Sequence, residues 1–411
     1  MPTTSITRRT FGAGTAAAAL ATALPARAQT RYVVPSLSDF SGPFAPIMPS
    51  FAGGREAVLS WWNAEVGNRI GVNLAVKAYD TRYDVAQTAS LWPGILAELK
   101  PAIGFALGGP DTAALQQRLP QDKVVMIHGT AQNGFAWKPD QWILTMRPTF
   151  VHEMAGFLAW FQKEKIGGGR PARIGMVSSE ASPTFADMTK GIQAFAKANP
   201  AMVQLVEVIF AELQPADLTL PVRRLVNNNV DIILTPTTVQ QAVATKRALQ
   251  ALRSRVPVLT SAHNSPGFIA PLIGGIQNVE GDYEAHGSAI PSDEDTEARR
   301  YYQLLGEKHG LKAPWNTLTV IGIGQALLLA RTVQATVAKH GVNGLTGDNV
   351  YSTLMSTAFP ASDFHGFLPA IAFERDASFP SKDPKVNIGQ VTQGKMRTVA
   401  TSVACPPLAK W

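Results

Sequence analysis

From about residue 30 the chain alternates short, β-branched apolar runs with longer segments whose apolar positions recur at helical spacing. "RYVVPSLSDFSGPF" predicts a strand that runs into a polar loop, and "AGGREAVLSWWNAEV" predicts the helix behind it. "GVNLAVKAYDT" and "DVAQTASLWPGILAEL" repeat that pair; "AIGFAL" with its Gly-rich loop and "KVVMIHGTAQN" continue it. A second series begins at "ARIGMVSSEASPTFADMTKGIQAFAKAN" and runs through "VQLVEVIF", "LPVRRLVNNNVDIILTPTT", "QAVATKRALQALRS" and "VPVLTSAHN". Strands that alternate with helices pair in parallel, because each crossover helix returns the chain to the same end of the sheet. Two consecutive series therefore predict an α/β protein of two lobes with parallel-sheet cores. The remainder holds one long apolar helix, "TLTVIGIGQALLLARTVQATVAKHG", and a strand pair around "FLPAIAFE" and "KVNIGQVTQGKM". "GIGQAL" inside that helix is too short for a dinucleotide fingerprint, so tight helix packing is the expected use of its glycines. Trp61 and Trp62 point about 100° apart on a helix, which predicts one packed and one partly exposed.

In open parallel sheets, ligands gather outside the carboxyl ends of the strands. Six loops fall at such ends: "SDFSGPF" (38–44), "GGPDT" (108–112), "HGTAQN" (128–133), "SSEASPTF" (178–185), "TPTT" (235–238) and "SAHNSP" (261–266). They supply backbone N–H groups and hydroxyls rather than nucleophiles or metal ligands.

Composition narrows the function further. The 411 residues are 45% apolar and 16% charged, enough chain for a large core. The formal charge is +7, but Arg8, Arg9 and Arg27 lie in a segment expected to be removed, leaving 34 basic against 30 acidic residues, or +4. No run of five Lys or Arg occurs, so nucleic-acid binding is not expected. The seven His form no HExxH motif and the single Cys405 excludes an intrachain disulfide. No G-x-S-x-G elbow and no G-x-x-x-x-G-K-[ST] loop is present, so neither an enzymatic centre nor a cofactor is expected. "TRRTFGAGTAAAALATALPARAQ" places the Arg8-Arg9 pair before an Ala/Leu-rich stretch ending in Ala26-Arg27-Ala28, the layout of a twin-arginine signal peptide over 1–28. No cysteine flanks that junction, so no lipid anchor is expected.

Taken together, these motifs resemble those of the type I periplasmic substrate-binding proteins of ABC transporters, in particular the branched-chain amino acid binding subgroup. The resemblance rests on Ser41-Gly42-Pro43 after the first strand, Tyr79-Asp80-Thr81 after the second and the Gly-rich loop after the third. "VVMIHGTAQN", "RIGMVSSEASPTF", "NNVDIILTPTT" and "VEGDY" then follow in the family's order. It implies two Rossmann-like lobes joined by a three-crossing hinge, with ligand held between them. The crossings are expected near Arg147-Pro148, near Ile290-Pro291 and at 386–388. Lobe one is then 29–147 plus 291–386, and lobe two 148–290 plus 387–411. By resemblance, Gly109, Asp111, Thr112, Thr130, Ala131, Gln132 and Asn133 grip a ligand carboxylate, with Asp111 alternatively capping its own helix. Ser41 and Phe44 add to lobe one's side; Thr184, Phe185, Thr237, His263 and Asn264 form lobe two's. Phe44 and Phe185 are candidate apolar walls. The amino-acid binders commonly place an acidic residue near the position of "TSAHNSP" to receive the ligand ammonium, and this stretch contains none. Glu280 and Asp282 are the acids nearest in sequence. The function implied is capture of a small polar, carboxylate, amide or amino-acid ligand in the periplasm and delivery to a membrane permease. A sensory ligand-binding subunit and a binder of ordinary branched-chain amino acids are the alternatives.

The paired arginines and the Ala-x-Ala site generate a direct prediction. N-terminal sequencing of the exported protein is expected to begin at Gln29, and Arg8→Lys with Arg9→Lys is expected to retain the precursor in the cytoplasm. A mature chain that starts at Met1, or export indifferent to the double substitution, contradicts this.

Overall fold

A computed structural model describes residues 1–2, 29–130 and 137–411. The twin-arginine segment and Ala131, Gln132 and Asn133 lie outside the described residues.

The first sheet contains β1 (Thr30–Ser38), β2 (Val72–Asp80), β3 (Ile103–Ala106), β4 (Val125–His128) and β5 (Ile143–Thr145), in the order β2-β1-β3-β4-β5. Every pairing in it is parallel. The second contains β6 (Ala172–Ser178), β7 (Val203–Phe210), β8 (Ile232–Thr235), β9 (Val258–Thr260), β10 (Tyr283–His286), β11 (Lys385–Thr392) and β12 (Lys395–Ala404). Its order is β12-β11-β10-β9-β8-β6-β7, parallel through β10, with β11 and β12 added antiparallel. The chain is thus an α/β protein of two parallel-sheet lobes. Central strands β3, β4, β8 and β9 are buried at every position, which is why they read as unbroken apolar runs; edge strands β2 and β7 are only partly covered. Both lobes share one winding. In each, the second strand pairs outside the first and the third pairs on its other side, so successive loops diverge at that switch point and leave a crevice.

The helix Thr317–His340 has mean hydropathy 1.4 over its most apolar stretch, long and apolar enough to cross a membrane, yet 83% of that stretch is buried inside the protein. It packs on the helix Met48–Trp62 through glycines. A Cβ on Gly322 would collide with the Phe51 carbonyl oxygen, and one on Gly54 would stand 2.8 Å from that of Thr319. The glycines of "GIGQAL" therefore serve helix packing, as expected. Two other expectations fail. Both Trp61 and Trp62 are buried, because the helix Glu297–Lys308 covers the outer one and sets Tyr301 edge-on to Trp61 at 5.3 Å. "FLPAIAFE" forms only isolated bridges, Phe359 with Ile371 and Glu374 with Ala377, since Pro369 breaks the ladder. The true pair is the hairpin β11–β12, turned by Gln393 and Gly394 at φ 54° and 70°.

Three crossings join the lobes. Thr145 N–H donates to the Ser378 carbonyl at 2.8 Å, which ties the first crossing to the approach of the third. Asn387 Nδ2 donates to the Ser288 carbonyl at 2.9 Å, tying third to second. The expected third crossing at 386–388 falls inside β11: the chain has entered the second sheet by Lys385, which pairs with Ala404. Gly287 lies where the three meet. A Cβ there would stand 2.6 Å from Pro148 Cδ, 3.1 Å from Arg147 Cβ and 3.6 Å from the Lys385 carbonyl oxygen. Neither a proline ring nor backbone yields readily, so Gly287→Ala is expected to lower stability by about 1–3 kcal/mol in urea unfolding. An unchanged midpoint would show that the crossings do not pack as described.

Candidate functional site

The loops at the carboxyl ends of the two sheets face one another, and their polar atoms divide into those already bonded and those that are not. In lobe one most are bonded. Asp111 Oδ2 accepts from the amides of Leu107 and Gly108 at 2.8 and 3.1 Å, and Oδ1 accepts from Thr88 Oγ1 at 3.1 Å. It is the cap of its own short helix, Gly109–Leu115. Burial raises its pKa, and the two amides oppose that shift. Thr130 Oγ1 donates to the Leu107 carbonyl at 2.5 Å, and the neutral His128 ring donates from Nε2 to the Gly108 carbonyl at 2.8 Å while its Nδ1 accepts from the Thr130 amide at 3.1 Å. Ser41 is exposed and donates to Asp80 Oδ2 at 2.7 Å, so it belongs to the outer rim. Phe44 is buried against Tyr83, ring centroids 4.5 Å apart. Thr112 is fully buried in its helix.

The glycine pair has a steric explanation. The Tyr83 ring lies where a Cβ on Gly108 would be, and Thr184 of the opposite lobe lies where one on Gly109 would be. Tyr83 also reaches across, its hydroxyl 3.3 Å from Ser182 Oγ. The Gly-rich loop thus allows lobe two to close onto lobe one at van der Waals distance.

Lobe two leaves more unspent. Thr184 Oγ1, Thr237 Oγ1 and His263 Nε2 are buried and have no hydrogen-bond partner among the described residues. Thr184 starts the helix Pro183–Ala198, Thr237 follows β8 and His263 follows β9. Burial, then the charge of Arg147, drives the His263 pKa well below the usual value, so its ring is neutral at pH 7. Phe51 and Phe150 flank it, with centroids 6.4 and 6.1 Å away. They take the place expected of Phe44 and Phe185. Phe185 is buried in lobe two's core and its carbonyl accepts from Thr189. Asn264 is fully used: Oδ1 accepts from Ser261 N and Oγ, and Nδ2 donates to the Thr235 and Thr238 carbonyls. It fastens the loop after β9 to the loop after β8.

The acids nearest in sequence lie elsewhere. Glu280 accepts from the Gln393 and Gly394 amides at the β11–β12 turn, and buried Asp282 pairs with Lys246 at 2.6 Å at the amino end of β10. Two arginines come in instead. Arg55 is buried over Phe51 and Phe105, bonded to Gln325 and Ser36, and desolvation lowers its pKa to about 9. Arg147 is wholly buried in the first crossing and donates Nη1 to both oxygens of Glu153, at 2.6 and 2.8 Å. Sequence reasoning missed both as site residues. The available signal was Arg55 on the apolar stripe Phe51, Val58, Trp62, where a surface helix would carry no charge.

The sequence profile described as periplasmic binding protein matches residues 32–395. The chain belongs to this family. No curated protein matches it significantly in sequence. Among solved structures it is similar to a branched-chain amino acid ABC transporter protein from Thermus thermophilus with bound valine, with TM-score 0.78, 16% identity, and coverage of 91% of this chain and 96% of that one. It is similar to a fatty acid ABC transporter substrate-binding protein from Thermomonospora curvata, with TM-score 0.72, 22% identity, and coverage of 91% and 92%. A solute-binding protein from Rhodopseudomonas palustris HaA2 in complex with p-hydroxybenzoic acid gives TM-score 0.70 at 18% identity over 92% and 98%. The periplasmic binding protein family places this chain in the periplasm and makes it a ligand-capturing protein. Its surface groove bounded by Glu56, Leu59, Asn63 and Leu74 lies on the outer edge of lobe one, away from the facing loops.

The division between bonded and unbonded hydroxyls is measurable. Thr184→Val and Thr237→Val remove no hydrogen bond among the described residues and are expected to leave the unfolding midpoint unchanged or raised. Asn264→Ala orphans buried groups in two loops and is expected to cost about 2–3 kcal/mol. Equal losses for all three would show that the threonine hydroxyls are bonded within the protein.

Proposed function

We propose that this periplasmic binding protein captures a small carboxylate lacking an α-ammonium between its lobes and delivers it to an ABC permease, after export by the twin-arginine route. In this reading the lobes are 29–147 with 291–384 and 148–290 with 385–411. The observation that carries it is the set of buried, unpartnered polar atoms on lobe two, Thr184 Oγ1, Thr237 Oγ1 and His263 Nε2, at the strand ends facing lobe one. An α-ammonium held there would need an acid, because a buried unpaired cation costs several kcal/mol after relaxation. The candidate acids are already engaged. Asp111 caps a helix, Glu153 holds Arg147, Glu284 accepts from Thr317, and Glu280 and Asp282 are remote. Phe51 and Phe150 supply apolar faces that suit an aromatic or short aliphatic acid. Similar folds include a protein solved with p-hydroxybenzoic acid and one named for fatty acids, which supports the same ligand class.

The similar protein with bound valine keeps branched-chain amino acids as the second reading. Calorimetric titration separates the two. Benzoate-type or short aliphatic acids are expected to bind at micromolar concentration or tighter, while leucine, isoleucine and valine give no heat. Micromolar leucine binding that disappears when the amino group is removed would overturn the proposal.

A further inference from the structure

We propose that Arg147 receives the ligand carboxylate on the Nε–Nη2 edge of its guanidinium, which seats the anion on the hinge itself; this rests on the carboxylate reading above. Arg147 is wholly buried, and its Nη1 is spent on Glu153. Nε and Nη2 are buried too and have no partner among the described residues. A guanidinium carries donors only, so that edge needs an acceptor. The two oxygens of a carboxylate match the spacing of two parallel N–H groups.

The surroundings select such an acceptor. The Phe150 ring lies 5.6 Å from the Arg147 guanidinium and 6.1 Å from the His263 ring, which brings the first crossing beside lobe two's loop after β9; His128, at the end of β4 in lobe one, and His263 both feel the Arg147 charge. Burial is the larger cause of both lowered pKa values and keeps the rings uncharged, so an anion placed there meets one cation flanked by neutral hydrogen-bonding rings. Protein carboxylates are engaged elsewhere. Glu153 Oε1 also accepts from the Gly287 amide at 3.1 Å, and Glu284 accepts from Thr317 Oγ1 at 2.9 Å. Phe150 lies 5.6 Å beneath the guanidinium and closes the apolar side.

The position gives this contact a consequence that a contact on either lobe alone lacks. Arg147 precedes Pro148 in the first crossing, and Glu153 links it to Gly287 in the second. An anion on this unbonded edge is therefore held by the segment about which the lobes turn, with His263 of lobe two on the other side of the Phe150 ring. Arg147 is a specificity-determining residue that reads the ligand's charge at the hinge.

The test uses the full mature chain, with benzoate, 4-hydroxybenzoate and straight-chain monocarboxylates of four to eight carbons, each beside its primary amide, in calorimetry. Wild-type protein is expected to bind its best acid at least about tenfold tighter than the matching amide. Arg147→Met combined with Glu153→Gln removes both charges together, so no unpaired ion is left buried. In that variant acid affinity is expected to fall about a hundredfold while the amide is little changed, so that the preference vanishes. Arg147→Lys keeps the ion pair but loses the planar fork, and is expected to weaken the acid about tenfold with an intact melting transition. An acid-over-amide preference that survives in either folded variant overturns the role of Arg147 and leaves the carboxylate reading standing. A wild-type protein that binds none of these acids, or binds acid and amide alike, overturns both.

Discussion

The buried pair of Arg147 and Glu153 is the interaction on which the two-lobed arrangement turns. Both Glu153 oxygens accept from one guanidinium nitrogen, and one of them also accepts from the Gly287 amide. That places a short, water-excluded link between the first and second crossings. Removing one member of such a pair leaves a buried ion, typically at a cost of about 3–5 kcal/mol, a large part of the roughly 5–15 kcal/mol that holds a domain together. The crossings are therefore joined by a buried ionic link around which their backbone packs. Gly287 makes the link possible, since any side chain there would meet Pro148.

The same economy governs the cleft. Among the described residues, several polar groups of lobe one's loops are spent within the lobe: Asp111 on its helix cap, Thr130 on the Leu107 carbonyl, His128 on the Gly108 carbonyl and the Thr130 amide. Lobe two retains hydroxyls and a neutral imidazole with no internal partner among the described residues. Buried polar groups of that kind are costly unless something bonds them, and a ligand trapped by closure is a physical way to do so. With unpartnered groups on lobe two, the cleft gains most from a ligand when the lobes are together, which is the differential binding that a hinge motion requires.

The contacts across the cleft show how close the lobes come. Thr184 rests on Gly109, the Tyr83 hydroxyl approaches Ser182, and Phe51 faces His263. The first two depend on small residues or short loops rather than on complementary charge. Two buried arginines stand near these contacts, Arg55 in lobe one and Arg147 at the first crossing, their guanidinium groups held by Gln325 and Ser36 in one case and Glu153 in the other. Their positions are set by packing partners far away in the chain.

The sequence by itself determined the two α/β series, the parallel sheets, the loops that would meet and the family. Each is encoded locally, in apolar runs of strand length, helical periodicity and Gly, Ser, Thr and Asn at strand ends. It also marked Thr184, Thr237 and His263 as polar residues in those loops. It did not decide which polar groups were already taken. Asp111 as a cap, Ser41 on Asp80 and Asn264 between two loops are hydrogen bonds whose value depends on where a partner lies in space. The same is true of Trp61, buried only because a helix some 240 residues later covers it. Arg147 looked like a hinge marker because its neighbour is proline, and Arg55 like an ordinary charge on a helix. Only the tertiary structure brought Arg147 and His263 to the same Phe150 ring, because burial and proximity are properties of the packed chain rather than of any segment of it.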